Sequence, residues 1–368
     1  MKPIQPTARI AFLVPYPFGL APGPRFRFEQ YLPALEAAGY RYRFFPFFDA
    51  QTYLNLYKNK GITQKILRTL QGYAKRIGQL VWHLWRYDFV FIYREATPLG
   101  FPFVEWILRY VFQKKIIYDF DDAIWLPTVS EQNRWVAALK APDKVPQICR
   151  WAYRVSVGND YLAQHARQFR GEGTTSDAVR LNPTTLDTLH WHNRLKDHHQ
   201  SPLTIGWTGT HSTLPYLRPL LPLIASLSRD FVFRFRVICN QPPDFDLDIL
   251  DFVPWNKDTE IEDLLALHIG LMPLQDDAWA RGKCGFKALQ YMSLGIPPVA
   301  SPVGVNAQII QTGQNGYCAS TPEEWTQALE CLLADAALRQ RLGEAGRKTV
   351  QARFSVQSNR TNFLSIFD

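Results

Sequence analysis

No apolar stretch in this 368-residue chain approaches the ~20 residues that a membrane-spanning helix needs, Ile10–Val14 being typical of its longest runs. That run follows a single Arg9 and is too weak for a secretory signal. The five cysteines, Cys149, Cys239, Cys284, Cys318 and Cys331, are scattered and odd in number, with no C-x-x-C pair. A disulfide framework and a zinc site are thereby excluded, and a reducing, cytoplasmic compartment is expected. Zinc-finger spacing, an RNP-like aromatic motif and a basic tail are all missing, so nucleic acid fits poorly as a partner. Charged residues are 20% and apolar residues 46%, near the soluble globular average, which excludes a disordered chain.

The length predicts two domains. The charge is uneven. Lys+Arg 41 against Asp+Glu 33 gives +8 overall, yet residues 1–180 hold 25 and 14, a net of +11, and the remainder is −3. Such a basic half attracts an anionic membrane surface or a phosphorylated substrate. Its densest stretch, Lys58–Arg86, places Ile62, Ile66, Leu70, Tyr73, Ile77, Leu80, Val81 and Leu84 at helical spacing. Lys65, Arg68, Lys75, Arg76 and Arg86 fall mainly on its other faces, with Trp82 and Trp85 near the end. Two readings stand: an interfacial amphipathic helix at the inner face of the membrane, or an ordinary surface helix with a solvated charged face.

Both halves alternate β-prone runs with helical patterns. Ile10–Val14, Arg41–Phe48, Phe89–Tyr93, Lys115–Tyr118 and Val155–Gly158 read as strands in the first half; Leu203–Trp207, Phe231–Cys239, Ile269–Leu274 and Pro298–Ser301 do so in the second. Helices are expected between them, among them Phe26–Ala38, Tyr216–Leu227, Phe286–Leu294 and Pro322–Leu333, the last opened by Thr321, Pro322 and Glu324 as a capping box. This rhythm implies two α/β domains with parallel, Rossmann-like sheets facing a central cleft. The expected division is 1–185 as the acceptor-side domain, a His-rich linker at 186–202, a donor domain over 203–350, and a tail over 351–368 that crosses back to the first domain.

Open parallel sheets bind ligands beyond the carboxyl ends of their strands. After Ile10–Val14 runs a Gly/Pro-rich loop through Gly19 and Gly23 to Arg25 and Arg27. It is not G-x-G-x-x-G, but it lets backbone approach a ligand and offers arginines to an anion. After Lys115–Tyr118 come Asp119, Asp121 and Asp122. Three readings stay open there: acceptor hydrogen bonding, a D-x-D metal site, or a helix start. The richest segment is Met272–Met292, where Arg281, Lys283, Gly285, Phe286 and Lys287 gather at a helix N-terminus. Cations there oppose the helix dipole unless an anion such as a diphosphate sits between them. Gln290, three residues beyond Lys287, adds a hydrogen-bonding group. Gly209 and Thr210 follow one strand, and Asn306 lies in another strand-to-helix turn.

With these segments in place, the chain resembles glycosyltransferase family 4, retaining enzymes of the GT-B fold. Arg9–Val14 with its glycine loop and Tyr31–Tyr40 is similar to the family's N-terminal strand, loop and helix. Leu181-Asn-Pro through Asp187 is similar to the inter-domain P-N-G-V-D element, and Gly304–Gly316 to the stretch G-G-x-x-E-x-I-x-x-G-x-N-G. The family's E-x7-E motif is altered: Gly282 and Gln290 stand where the two glutamates would be.

The resemblance implies transfer of a sugar from a nucleotide diphosphate sugar to a glycan, lipid-linked or small-molecule acceptor, without cofactor or metal. Lys287 and Lys283 would stabilise the leaving diphosphate, which itself deprotonates the acceptor. Gly209, Thr210, Arg281, Gly285, Phe286, Gln290 and Asn306 would complete the donor site, and Gly23, Arg25, Asp121 and Asp122 the acceptor side. Two alternatives accompany this: a non-catalytic sugar-nucleotide binder, since both glutamates are replaced, and a metal-dependent transferase using Asp119-x-Asp121.

Overall fold

The computed structural model describes residues 8–55, 62–126, 141, 143–171 and 176–368. Two compact units emerge, one of Met1–Pro183 with Arg360–Asp368 and one of Thr184–Asn359. In the first unit, β1 (Arg9–Val14), β2 (Arg41–Pro46), β3 (Phe89–Tyr93), β4 (Lys115–Phe120), β5 (Arg154–Val157) and β6 (Val179–Leu181) form a sheet in the order β2-β1-β3-β4-β5-β6. Every pairing is parallel. All five residues of β3 are buried, which is why this run is apolar without alternation: helices cover both faces.

The second unit repeats the plan with β7 (Thr204–Gly209), β8 (Arg234–Cys239), β9 (Leu250–Pro254), β10 (Ile269–Met272), β11 (Pro298–Ala300) and β12 (Tyr317–Cys318), ordered β12-β11-β10-β7-β8-β9 and again parallel. Chain order reverses between β1 and β3 in one sheet and between β7 and β10 in the other. Those two switch points are where the connections diverge and leave a crevice at the strands' carboxyl ends. Close approach there is built in. A Cβ on Gly270 would lie 2.3 Å from the Tyr291 ring, and one on Gly206 2.1 Å from Leu267. The Tyr291 hydroxyl then bridges the switch, donating to Leu271 O of β10 and accepting from Thr208 N of β7.

Several expected elements are cut differently. The helix expected over Phe26–Ala38 is two short helices, Pro22–Arg27 and Leu32–Ala37, around a 3-10 turn at Glu29–Tyr31. Pro33 has no N–H to continue the ladder, so the second helix restarts around it. Likewise the helix expected from Tyr216 begins at Leu221, after 3-10 turns that accommodate Pro215 and Pro219. The Thr321–Glu324 capping box forms as expected.

The basic helix keeps only part of its apolar side inside. It spans Ile62–Trp82; positions 58–61 lie outside the described residues. Its packed side mixes polar Arg76 and Gln79 with Tyr73 and Leu80. Arg76 is 1% exposed and donates to Ala96 O, Phe45 O and Val14 O, carbonyls at the ends of β1 and β2 and just after β3. Gln79 accepts from the same guanidinium, and Gly72 lets the helix approach the Phe47 ring. Ile66, Leu70, Ile77 and Val81 are exposed, whereas Leu80 and Leu84 are buried. Arg76 wins the inner face because the strand ends present carbonyl oxygens that need donors.

The segment 184–202 folds onto the second unit. Arg347 donates to Thr188 O, His192 O and Ser293 O, and Arg339 to His198 O. At the other end of the chain, Phe363 stacks on Tyr31 at 4.3 Å, and Arg154 donates to Ser365 O and Asp368 O in the first unit.

His198 and His268 are buried in the second unit, their rings 6.1 Å apart, beside Lys196 and Arg339. His198 bonds Gly295 O, while His268 accepts from Thr204 N through Nδ1 and bonds Gln200 O through Nε2. Burial holds both pKa values down to about 4, with the neighbouring cations acting in the same direction. An unfolded histidine titrates near ~6.5, so the unfolded chain takes up these protons first. The stability they contribute is complete above that pH and is lost as pH falls toward 4. The urea midpoint should therefore drop between pH 6.5 and pH 4, and His198→Asn with His268→Asn should flatten that dependence; an unchanged slope in the double variant would contradict it.

Candidate donor and acceptor sites

In the first unit, the expected acceptor residues gather at the carboxyl ends of β1, β3 and β4. Gly23 sits where a Cβ would come within 2.2 Å of the Tyr93 hydroxyl, so only glycine fits. Tyr93 donates that hydroxyl to Asp121. Arg94 donates to Asp121 at 2.7 and 3.0 Å and also to Asp122. These ion pairs hold the Asp121 carboxyl below its ordinary range against the cost of burial. Arg94 itself has φ +61°, a left-handed conformation that a non-glycine residue adopts at a cost of about 1–3 kcal/mol. Its position directly after β3, at the switch point, is the signal that could have singled it out from sequence. Arg25 lies in the helix Pro22–Arg27, its guanidinium 4.9 Å from the Phe26 ring. Upstream, Glu29 accepts from Gly19 N and fixes the glycine loop.

Asp119 is different. It is fully buried, and its carboxylate accepts from Arg27 at 2.5 and 3.1 Å and from Ser156 Oγ at 2.5 Å. Both oxygens of Asp119 accept from Arg27, one also from Ser156, and those of Asp121 accept from Arg94 and Tyr93. Among the described residues no group of three or more His, Cys, Asp or Glu is placed to hold a metal ion.

In the second unit, the expected donor residues come together from the loops after β7, β10 and β11. Gly285 caps the helix Phe286–Ser293 with φ +68°, and its Cα side faces Ile309 and Asn306. Gly304, φ +59°, lies against the Arg281 backbone. Gly209 leaves room for the Trp207 ring. The Lys287 ammonium stands 4.5 Å over that ring, and Lys283 lies 5.6 Å from the Trp279 ring. Desolvation, reinforced by the neighbouring Lys283 charge, lowers the Lys287 pKa to about 7. An ammonium at a helix N-terminus, on an aromatic floor, is a place that favours an anion.

Other residues take supporting places. Thr210 N and O both bond the Thr213 hydroxyl, and His211 N donates to Asn240, fixing the turn after β7. Asn306 is buried, donates to Ser301 O, and leaves Oδ1 without a hydrogen-bond partner. Arg281 is exposed and ion-paired with Asp276 at 2.6 Å. Asp277 caps the short helix Ala278–Arg281 and accepts from Tyr216 at 3.2 Å. Trp207 and Glu260 escaped the sequence reading; a tryptophan inside an otherwise ordinary strand carries no pattern of its own.

Gln290 is turned into the fold. It is 2% exposed, and its Nε2 donates to Glu260 Oε1 at 3.4 Å. Restoring a glutamate there would set two buried carboxylates side by side. Gln290→Glu should cost about 2 kcal/mol of stability at pH 7 and less at pH 5, where the pair shares a proton. Thermal melts at the two pH values check this; an equal or raised melting temperature at pH 7 would contradict it.

Residues 248–349 match the family model described as Glycosyl transferases group 1. Spore coat protein SA of Bacillus subtilis (strain 168) is 30% identical over 80 residues, a match that covers 21% of this chain and 21% of that protein. Sucrose-phosphate synthase from Thermosynechococcus elongatus superposes with a TM-score of 0.69 at 15% identity over 98% of each chain. Anabaena HepE, solved in complex with UDP-glucose, superposes with a TM-score of 0.61 at 13% identity over 98% of this chain and 99% of that one. The two parallel six-stranded sheets and these neighbours establish the GT-B two-domain fold.

Proposed function

We propose that the protein is a retaining glycosyltransferase of family 4 that moves a sugar from a nucleoside diphosphate sugar to a glycan, lipid-linked or small-molecule acceptor. One observation carries the reading. Lys287, over Trp207 and at the N-terminus of the helix Phe286–Ser293, lies at the switch point of the second sheet, inside the segment that matches the group 1 transferase model. A diphosphate is the anion that suits such a place, and UDP, bound to HepE in its solved form, is the natural probe. In this reading Lys287 and Lys283 stabilise negative charge as the sugar–phosphate bond breaks, which is where fixed cations lower a barrier most. The Asn306 amide oxygen accepts a donor hydroxyl. Asp121, oriented by Arg94 and Tyr93, accepts from an acceptor hydroxyl that does not react, while the leaving diphosphate takes the proton of the one that does.

The test is release of UDP from UDP-sugars by the purified chain over a broad acceptor panel, with the anomeric configuration of any product read by NMR. Turnover with retained configuration supports the proposal. An inverted product overturns the retaining assignment, and UDP binding without turnover assigns the chain to sugar-nucleotide binding alone. EDTA should leave turnover intact, since Asp119 is held by Arg27 rather than offered to a metal.

A further inference from the structure

The helix Ile62–Trp82 leaves much of its apolar surface outside. Arg76, Gln79, Gly72, Tyr73 and Leu80 face the fold, while Ile66, Leu67, Leu70, Ile77, Val81 and Trp82 face solvent. At 100° per residue, Ile66, Leu70, Ile77 and Val81 fall within one narrow stripe. Trp82 is 68% exposed, and Trp85 follows it with Arg86 over its ring. The neighbouring helix, Phe103–Tyr110, is tied to this one through the Tyr73 hydroxyl at Leu99 and the Tyr73–Phe103 ring pair. It exposes Trp106 and Tyr110, with Arg109 between them. An apolar face of this size on a protein surface marks an interaction site rather than chance exposure.

Charge chooses among occupants. The 21 residues of Ile62–Trp82 contain no aspartate or glutamate, while Arg68 and Lys75 run along one side of the exposed face, beyond Leu67 and Trp82, and Arg86 stands at its end. Aliphatic residues along the centre, tryptophans at one end and cations on the flank are what a bilayer interface with anionic headgroups accommodates: apolar groups enter the acyl boundary, indoles sit at headgroup level, and cations meet phosphates. No described helix is long and apolar enough to cross a membrane, so this contact lies along the surface. We infer that the exposed face of Ile62–Trp82, continued by Trp85 and Trp106, is a docking surface for an anionic lipid bilayer. This stands apart from sugar transfer, because binding to vesicles needs neither donor nor turnover.

The experiment is co-sedimentation of the full chain with large vesicles of phosphatidylcholine alone or with about 30% phosphatidylserine. Binding to the anionic vesicles should exceed binding to the neutral ones at least about tenfold and weaken as salt is raised. Trp82 and Trp85 emission should shift to the blue with vesicles present. Leu70→Ser with Ile77→Ser, and separately Lys75→Glu with Arg86→Glu, should each reduce binding about tenfold or more. These side chains are exposed, so the variants should melt as wild type does. Val232→Ser, at an exposed valine of the second unit, should bind as wild type. Equal binding to both vesicle types, or none, overturns the inference. So does a wild-type dimer that the Leu70→Ser, Ile77→Ser variant converts to monomer without lipid, since a second copy would then own the face.

Discussion

Replacing Lys287 by alanine will weaken UDP binding about 100-fold at pH 6.5, and the loss will shrink as pH rises. The size follows from removing a charge-assisted contact to a diphosphate, worth about 1.5–3 kcal/mol. The pH dependence follows from the site. With the ammonium pKa held down to about 7 by desolvation and by Lys283, about half the free protein carries a neutral Lys287 at pH 7. A bound diphosphate favours the charged form, so binding takes up a proton. Wild-type affinity should fall about tenfold per pH unit above 7 until the pKa of the bound state is reached. The alanine variant has no such proton to gain, so its affinity should stay flat over the same range. Isothermal titration in two buffers of different ionisation enthalpy reads the proton uptake directly: about half a proton for wild type at pH 7 and none from this group in the variant. Equal affinity of the two proteins at pH 6.5 would remove Lys287 from the donor site.

The same residue shows how far a sequence carries such a reading. Lys287 and its glycines were legible because cations in the first turn of a helix are locally unfavourable, and a local cost implies a partner. The fold was legible for a similar reason: buried parallel strands such as Phe89–Tyr93 are continuous apolar runs that few other structures use. What escaped depends on contacts distant in sequence. Gln290 sits three residues from Lys287, but Glu260, thirty residues upstream, draws it inward. Arg76 belonged to the charged side of a helix by every local rule, and carbonyls at or just past three strand ends drew it inside. Periodicity finds the two faces of a helix. It does not say which is inside when the fold supplies acceptors for the polar one.

Arg27→Met should be the most destabilising single substitution considered, lowering stability by about 3–5 kcal/mol. Arg27 is 1% exposed and closes a network that joins four elements: it grips both oxygens of Asp119 on β4 and donates to Asn182 O after β6, while Ser156 on β5 donates to Asp119 and accepts from Asn182. Burial alone pushes the Asp119 carboxyl above its ordinary range, and Arg27 is the main opposing influence. Methionine fills much of the volume but leaves that carboxylate without its counter-ion, held by Ser156 only. The melting temperature should fall by about 10 °C at pH 7. At pH 5 the loss should be smaller, because an uncompensated buried Asp119 takes up a proton instead of staying charged. Arg27→Met combined with Asp119→Asn should be less destabilised than Arg27→Met alone, since the amide carries no charge to strand. The double variant therefore separates a buried ion pair from simple packing. If it is as unstable as the sum of the two single variants, the network holds the glycine loop by shape and not by charge.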